Sequence, residues 1–83
     1  MRGHIEDRVT QYMIFTHMPD DHKTERWVVL NKSDGSTLAN ISWYWPWRQY
    51  CFFPAEGCVF NHGCLHTITA FMVERQKIHG VKA

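Results

Sequence analysis

One aromatic block constrains this chain more than any other feature. Seven of its twelve aromatic residues fall between Ile41 and Pro54, in the run Ile-Ser-Trp-Tyr-Trp-Pro-Trp-Arg-Gln-Tyr-Cys-Phe-Phe-Pro. Aromatic side chains favour strands. Pro46 cannot donate a ladder hydrogen bond, so Trp45-Pro46-Trp47 marks a tight connection or a sheet edge. Eighty-three residues leave room for one domain built from two layers. A single helix covers one face of a sheet, and alternation sends about half of the aromatics to the other face. Contiguous apolar patches of a few hundred Å2 often mark binding surfaces. The competing reading is that aromatics enlarge a meagre core, with Trp43 and Phe53 packed beneath the helix.

The rest of the chain supplies the other strands. Met1 to Arg8 is polar and reads as a frayed end. Val9 to His17 is rich in β-branched and aromatic residues and reads as one strand, closed by the polar loop Met18-Pro19-Asp20-Asp21-His22-Lys23. Thr24 to Asn31 follows, centred on Trp27-Val28-Val29-Leu30. Asp34-Gly35 then lies between two β-like runs, a strong hairpin signal. Ser36 to Tyr44 is the return strand, with Ala39, Ile41 and Trp43 on its core face. Arg48 to Phe53 is the last strand, and Pro54-Ala55-Glu56-Gly57 closes it.

A helix is expected over residues 61–79. Asn61 is suited to cap its free amides. Leu65, Ile68 and Met72 recur at helical spacing, flanked by Cys64 and Phe71. His66, Thr67, Glu74 and Lys77 fall on the outer side. Gly80 stands where a left-handed stop belongs, after Lys77 and His79, whose charge suits the helix dipole. The fold class is therefore α+β: a three- to four-stranded antiparallel sheet over 9–54, with one C-terminal helix packed on one face. Leu65, Ile68 and Met72 are expected to lie against Trp43 or Trp27.

Charge and cysteine content narrow the function. Nine Lys and Arg against eight Asp and Glu give a formal charge of +1, which excludes a polybasic nucleic-acid coat or membrane binder. No apolar run approaches the ~20 residues of a membrane span, and the charged start does not suit a signal peptide. Three cysteines, an odd number, point to reduced thiols in a cytoplasm rather than a disulfide framework, with a single bridge, Cys51–Cys58 or Cys58–Cys64, as the alternative.

The string Trp-Tyr-x-Pro-Trp-Arg-x-Tyr-Cys-Phe-Phe-Pro (Trp43 to Pro54), followed by Val59-Phe60-Asn61 and Cys64-Leu65, resembles a family of small, uncharacterised bacteriophage and prophage proteins. Lys23-Thr24-Glu25-Arg26-Trp27 and Asn31-Lys32-Ser33-Asp34-Gly35-Ser36 fit the same pattern. The resemblance spans about Lys23 to Phe71. It implies a viral origin and action in the host bacterial cytoplasm, and it assigns no catalytic residues.

Chemistry-bearing motifs are sparse. Cys58, His62, Cys64 and His66, with Cys51 upstream, invite a structural zinc reading. Paired C-x2-C knuckles are absent, however, and Cys64 and His66 diverge on a helix. A Cys–His nucleophile would need an exposed, activated thiol, whereas Cys64 belongs to the apolar stripe. Asp20-Asp21 reads as a solvated pair, and Glu56 and Glu74 as isolated carboxylates. No phosphate loop or nucleophile elbow occurs. The six histidines are scattered and read as surface or loop imidazoles.

The expectation is a non-catalytic binding protein with no cofactor and no metal. Trp45, Trp47, Arg48 and Tyr50 combine the residue types that dominate interface hot spots. They are the expected contacts to a host or phage protein, such as a defence or replication factor, or to a second copy in a homodimer. Nucleic-acid binding by the sheet face is the second choice.

Overall fold

The computed structural model describes residues 5–18 and 23–82. Five strands precede one helix: β1 (Arg8–Val9), β2 (Met13–His17), β3 (Arg26–Asn31), β4 (Thr37–Tyr44), β5 (Gln49–Pro54) and α1 (His62–Lys82). The strands form one antiparallel meander in chain order, with β1 and β5 at the edges.

The fifth strand corrects the expected three or four. The run Val9 to His17 does not stay extended, because the chain reverses at Thr10-Gln11-Tyr12. Thr10 N–H donates to the Met13 carbonyl at 2.8 Å, and Met13 N–H donates to Thr10 Oγ1 at 3.1 Å. That turn folds Arg8 and Val9 back to pair with Phe15 and Ile14. The segment 1–8 is thus not wholly frayed. Ile5 packs against the core, while residues 1–4 and the Pro19 to His22 part of the expected loop lie outside the described residues.

The other connections follow their sequence signals. Gly35 has φ 77°, the left-handed conformation that glycine adopts without cost. Its N–H donates to the Asn31 carbonyl at 2.7 Å, closing the β3–β4 hairpin. A bulge between Val29 and Leu30 pairs Leu30 with Thr37 and leaves Leu38 without a partner across the ladder. The extra residue lets Leu38 pack against the same core as Ala39.

Helix α1 starts as expected: Asn61 Oδ1 accepts from Cys64 N–H at 2.8 Å, and the Asn61 carbonyl accepts from Leu65 N–H at 3.0 Å. Its end and its rotation differ. Gly80 keeps a helical backbone, and the helix runs on to Lys82. The inward stripe is Cys64, Ile68, Phe71 and Arg75, not one centred on Leu65, Ile68 and Met72. Leu65 is 46% exposed. The large ring of Phe71 sets the rotation, since it stacks on Phe15 with centroids 4.4 Å apart and meets Trp27 edge-on at 4.8 Å. Met72 is half-buried at the margin. Thr67, expected outside, is also half-buried, and its hydroxyl donates to the Gly63 carbonyl at 3.1 Å.

The core thus lies between α1 and one sheet face. Met13, Phe15, Trp27, Val29, Ala39, Ile41 and Tyr50 come from the strands, and Ile68 and Phe71 from the helix. Trp43 joins its rim, its ring tilted against that of His79 of the helix with centroids 4.3 Å apart.

Candidate functional site

The β4–β5 turn is built from the centre of the aromatic block. Pro46 presets the bend, and the Tyr44 carbonyl accepts from Arg48 N–H at 2.8 Å and Trp47 N–H at 3.2 Å. Arg48 completes the reversal at φ 53°, a left-handed conformation that a side chain adopts at a cost. The turn lifts two indoles into solvent: Trp45 is 72% exposed and Trp47 66%. Arg48 is exposed beside them.

The two indoles make different ring contacts, and Trp47 also borders a groove between β5 and α1. Trp45 lies edge-on to Trp43, 6.0 Å away, on the helix side. Trp47 meets Tyr44 edge-on at 5.1 Å, and Tyr44 in turn neighbours Phe53 at 6.2 Å. Tyr44 and Phe53 belong to the face turned away from the helix, because β4 and β5 alternate in register. The same register places Val9, Ile14, Leu30, Thr16, Val28, Asn40, Ser42 and Cys51 on that face. Among the described residues no element covers it. Arg26, paired with Ser42, is the one charged side chain that the described strands place there.

Tyr50 does not join this surface. It is 5% exposed, and its ring sits edge-on to Trp43 at 5.2 Å. Its hydroxyl accepts from Glu25 N–H at 3.0 Å, and its own N–H donates to Gln76 Oε1 at 2.9 Å. Of the four residues expected to make contacts, Trp45, Trp47 and Arg48 are exposed, and Tyr50 is core. Tyr44 is not among them, and Phe53, which the competing reading packs beneath the helix, lies on the opposite face because it pairs with Asn40. Their signal was the two-residue alternation that assigned Trp43 inward, which sends its neighbour Tyr44 outward.

A buried charged pair beside Tyr50 was not foreseen at all. Arg75 donates from Nε to Glu25 Oε1 at 2.7 Å and from Nη2 to Oε2 at 2.5 Å. Trp27 Nε1 donates to the same Oε1 at 3.0 Å, and the guanidinium lies 5.4 Å from the Trp27 ring centroid. Burial by itself raises the Glu25 pKa, but the hydrogen bonds from Arg75 and Trp27 and the Arg75 charge outweigh it and hold the carboxyl below its ordinary value. The Glu25 carboxylate correspondingly raises Arg75. Glu74 is not isolated either. It accepts from Arg8 Nη2 at 2.6 Å and lies 3.8 Å from Arg75 Nη1. The chemical consequence is mechanical, a clamp that fixes α1 to the segment entering β3. Fifty positions separate its two partners, and no local pattern announces such a pairing.

The Cys–His set does not converge. Cys64 faces the core and Cys58 is half-buried near the Thr37 carbonyl, while His62 and His66 are exposed on the first turns of α1. Among the described residues no three His, Cys, Asp or Glu side chains come together as a metal site, and all three cysteines are free thiols. No described helix is long and apolar enough to cross a membrane.

Comparison with known proteins finds a relative in Acholeplasma phage L2, its uncharacterized 9.3 kDa protein. The two are 36% identical over 69 residues, spanning 82% of this chain and 88% of the relative. No protein-family model matches the chain. No solved structure matches it.

Proposed function

The chain belongs to the family of small phage proteins that includes the 9.3 kDa protein of Acholeplasma phage L2, and from that premise we propose a non-catalytic binding protein. Its site is the uncovered sheet face together with the Trp47 side of the β4–β5 turn, and its partner is a host or phage protein in the infected bacterium. The observation that carries this reading is that Trp47, Tyr44 and Phe53 share one uncovered face with Val28, Leu30 and Ile14, the two groups flanking Asn40 and Ser42 of β4. A patch of aromatic and aliphatic side chains with a charged rim matches the anatomy of a protein interface. Arg48 at the turn and Arg26 on β3 supply that rim. A groove for nucleic acid needs several free cations to displace counterions from phosphates, whereas Arg8 and Arg75 are engaged by Glu74 and Glu25.

Affinity capture from lysate of phage-infected bacteria tests the reading. The wild type is compared with a Trp47→Ala/Phe53→Ser variant, whose changes lie outside the helix-side core. The expected outcome is loss of the captured partner with the fold intact. Recovery of the same partners by both proteins removes this face from consideration. Retention of duplex or single-stranded nucleic acid at low salt, lost steeply as salt rises, shifts the assignment to nucleic acid.

A further inference from the structure

The arginines Arg8, Arg26, Arg48 and Arg75 divide into two pairs. Arg8 and Arg75 are neutralised within the fold by Glu74 and Glu25. Arg26 and Arg48 are exposed, and neither guanidinium makes a hydrogen bond or an ion pair with any described residue.

Arg48 is unusual in a second way. Its φ of 53° makes it the one non-glycine among the described residues with a left-handed backbone, a conformation that glycine or asparagine takes at less cost. The turn uses only its backbone N–H, which donates to the Tyr44 and Trp45 carbonyls at 2.8 and 3.2 Å. No contact within the fold uses its guanidinium, so the side chain stands there in spite of the backbone it occupies.

Both arginines border the aromatic corner of the uncovered face. Arg26 pairs with Ser42, which puts it diagonal to Tyr44, about 7–8 Å away across the β3–β4 ladder. Arg48 is joined to Tyr44 by the hydrogen bond of the turn. Tyr44 therefore lies between two unpaired cations, with the Trp47 ring 5.1 Å and the Phe53 ring 6.2 Å from its own. Asp7 reaches the same face at Thr16 of β2, whose hydroxyl donates to it at 3.4 Å, and it forms no ion pair with Arg26.

That arrangement sets the charge of what docks there. Covering Tyr44 and Trp47 with apolar surface strips water from the neighbouring guanidiniums, which is costly unless carboxylates replace it. A carboxylate meets a guanidinium through two parallel hydrogen bonds, whereas a basic partner is repelled. An extended peptide advances about 3.3 Å per residue, so acidic residues about three or four positions apart reach both arginines. An apolar residue between them then lies on Tyr44 and Trp47.

We propose, resting on the reading of this face as the binding site, that it selects an acidic peptide segment of its protein partner in which two carboxylates bracket an apolar side chain. Arg26 and Arg48 hold the carboxylates, and Tyr44, Trp47 and Phe53 receive the apolar residue.

Selection of a random-peptide display library on the immobilised wild-type protein is the test. Recovered peptides are expected to carry Asp or Glu on both sides of an aromatic or aliphatic residue, and to bind more weakly as salt rises. Arg26→Gln and Arg48→Gly are each expected to weaken such a peptide about tenfold. Arg48→Gly is expected to do so while raising the urea midpoint, since glycine relieves the left-handed position. A lowered midpoint ties the guanidinium to the fold and overturns the proposal, as does a library that yields no binder. Neutral peptides whose binding is lost in Phe53→Ser overturn the acidic partner and keep the aromatic face. Acidic peptides that bind wild type and Phe53→Ser alike overturn both. Tighter binding of a single-stranded oligothymidylate than of any recovered peptide overturns it in favour of nucleic acid.

Discussion

Both faces of the sheet carry apolar side chains and use them differently. On the helix side Phe15, Trp27, Val29, Ala39 and Ile41 are sealed from water, and each touches the helix or a neighbour that does. On the other side Ile14, Val28, Leu30, Tyr44 and Phe53 form a comparable row with no described element above it. A domain of this size holds only about 4–12 kcal/mol of net stability, and leaving half of a sheet uncovered forgoes burial it would otherwise gain. The contrast teaches that stability is concentrated under α1, which leaves the opposite face available for contact with another protein.

The sharpest way to break this division is to open the clamp under the helix. Arg75→Met strands the Glu25 carboxylate among Trp27 and Tyr50, and losing one partner of a buried pair costs about 3–5 kcal/mol. Urea denaturation is expected to show a domain near its limit of stability. Glu25→Gln/Arg75→Met together recover much of the loss, because no uncompensated charge is left behind. An Arg75→Met midpoint equal to wild type places stability elsewhere.

The same clamp sets an acid limit. Glu25 is more acidic in the folded state than its ordinary value of 4.5. Its contribution is therefore fully present above pH 4.5 and is lost as pH falls through the lower folded pKa. Stability followed from about pH 6 downward is expected to decline below pH 4.5. In Glu25→Gln that decline is shallower, and identical acid profiles exclude the clamp as its source.

Helix rotation gives the next contrast. Ile68→Ala removes a side chain that is 2% exposed and is expected to cost roughly 2–5 kcal/mol. Leu65→Ala, almost one turn earlier and on the exposed margin, is expected to cost less than about 1 kcal/mol. Equal midpoints for the two variants rotate the helix back to the arrangement the sequence periodicity suggests.

That periodicity shows where sequence reasoning stopped. Local signals were legible because local chemistry decides them: the Asp34-Gly35 hairpin, the Asn61 cap, the turn at Pro46, and the inward side of β4 through Ala39 and Ile41. Leu65 looked like core by hydrophobicity alone. Its true position depends on Phe71 seeking Phe15 and Trp27, and on Arg75 reaching Glu25, contacts that join residues far apart in the chain. Tyr50 was misjudged for the same reason. The residues just before it in the chain are exposed, but its hydroxyl finds an amide 25 residues away. The split of Val9 to His17 into two strands turned on a Thr10 hydroxyl capturing one backbone amide, too small a signal beside the β-branched run around it. An exposed aromatic surface, by contrast, followed from size: one helix cannot cover two faces.

Site-specific photocrosslinking in infected cells tests the division of labour most directly, because it works whatever the partner's identity. A photoreactive phenylalanine derivative is placed in turn at Phe53 and Trp47 on the uncovered side, and at His66 on the outer side of the helix. Adducts with a protein other than a second copy of the chain are expected from Phe53 and Trp47 and not from His66. Adducts from His66 with none from Phe53 or Trp47 would contradict the account, placing the contact surface on the helix and leaving the aromatic face without the role assigned to it.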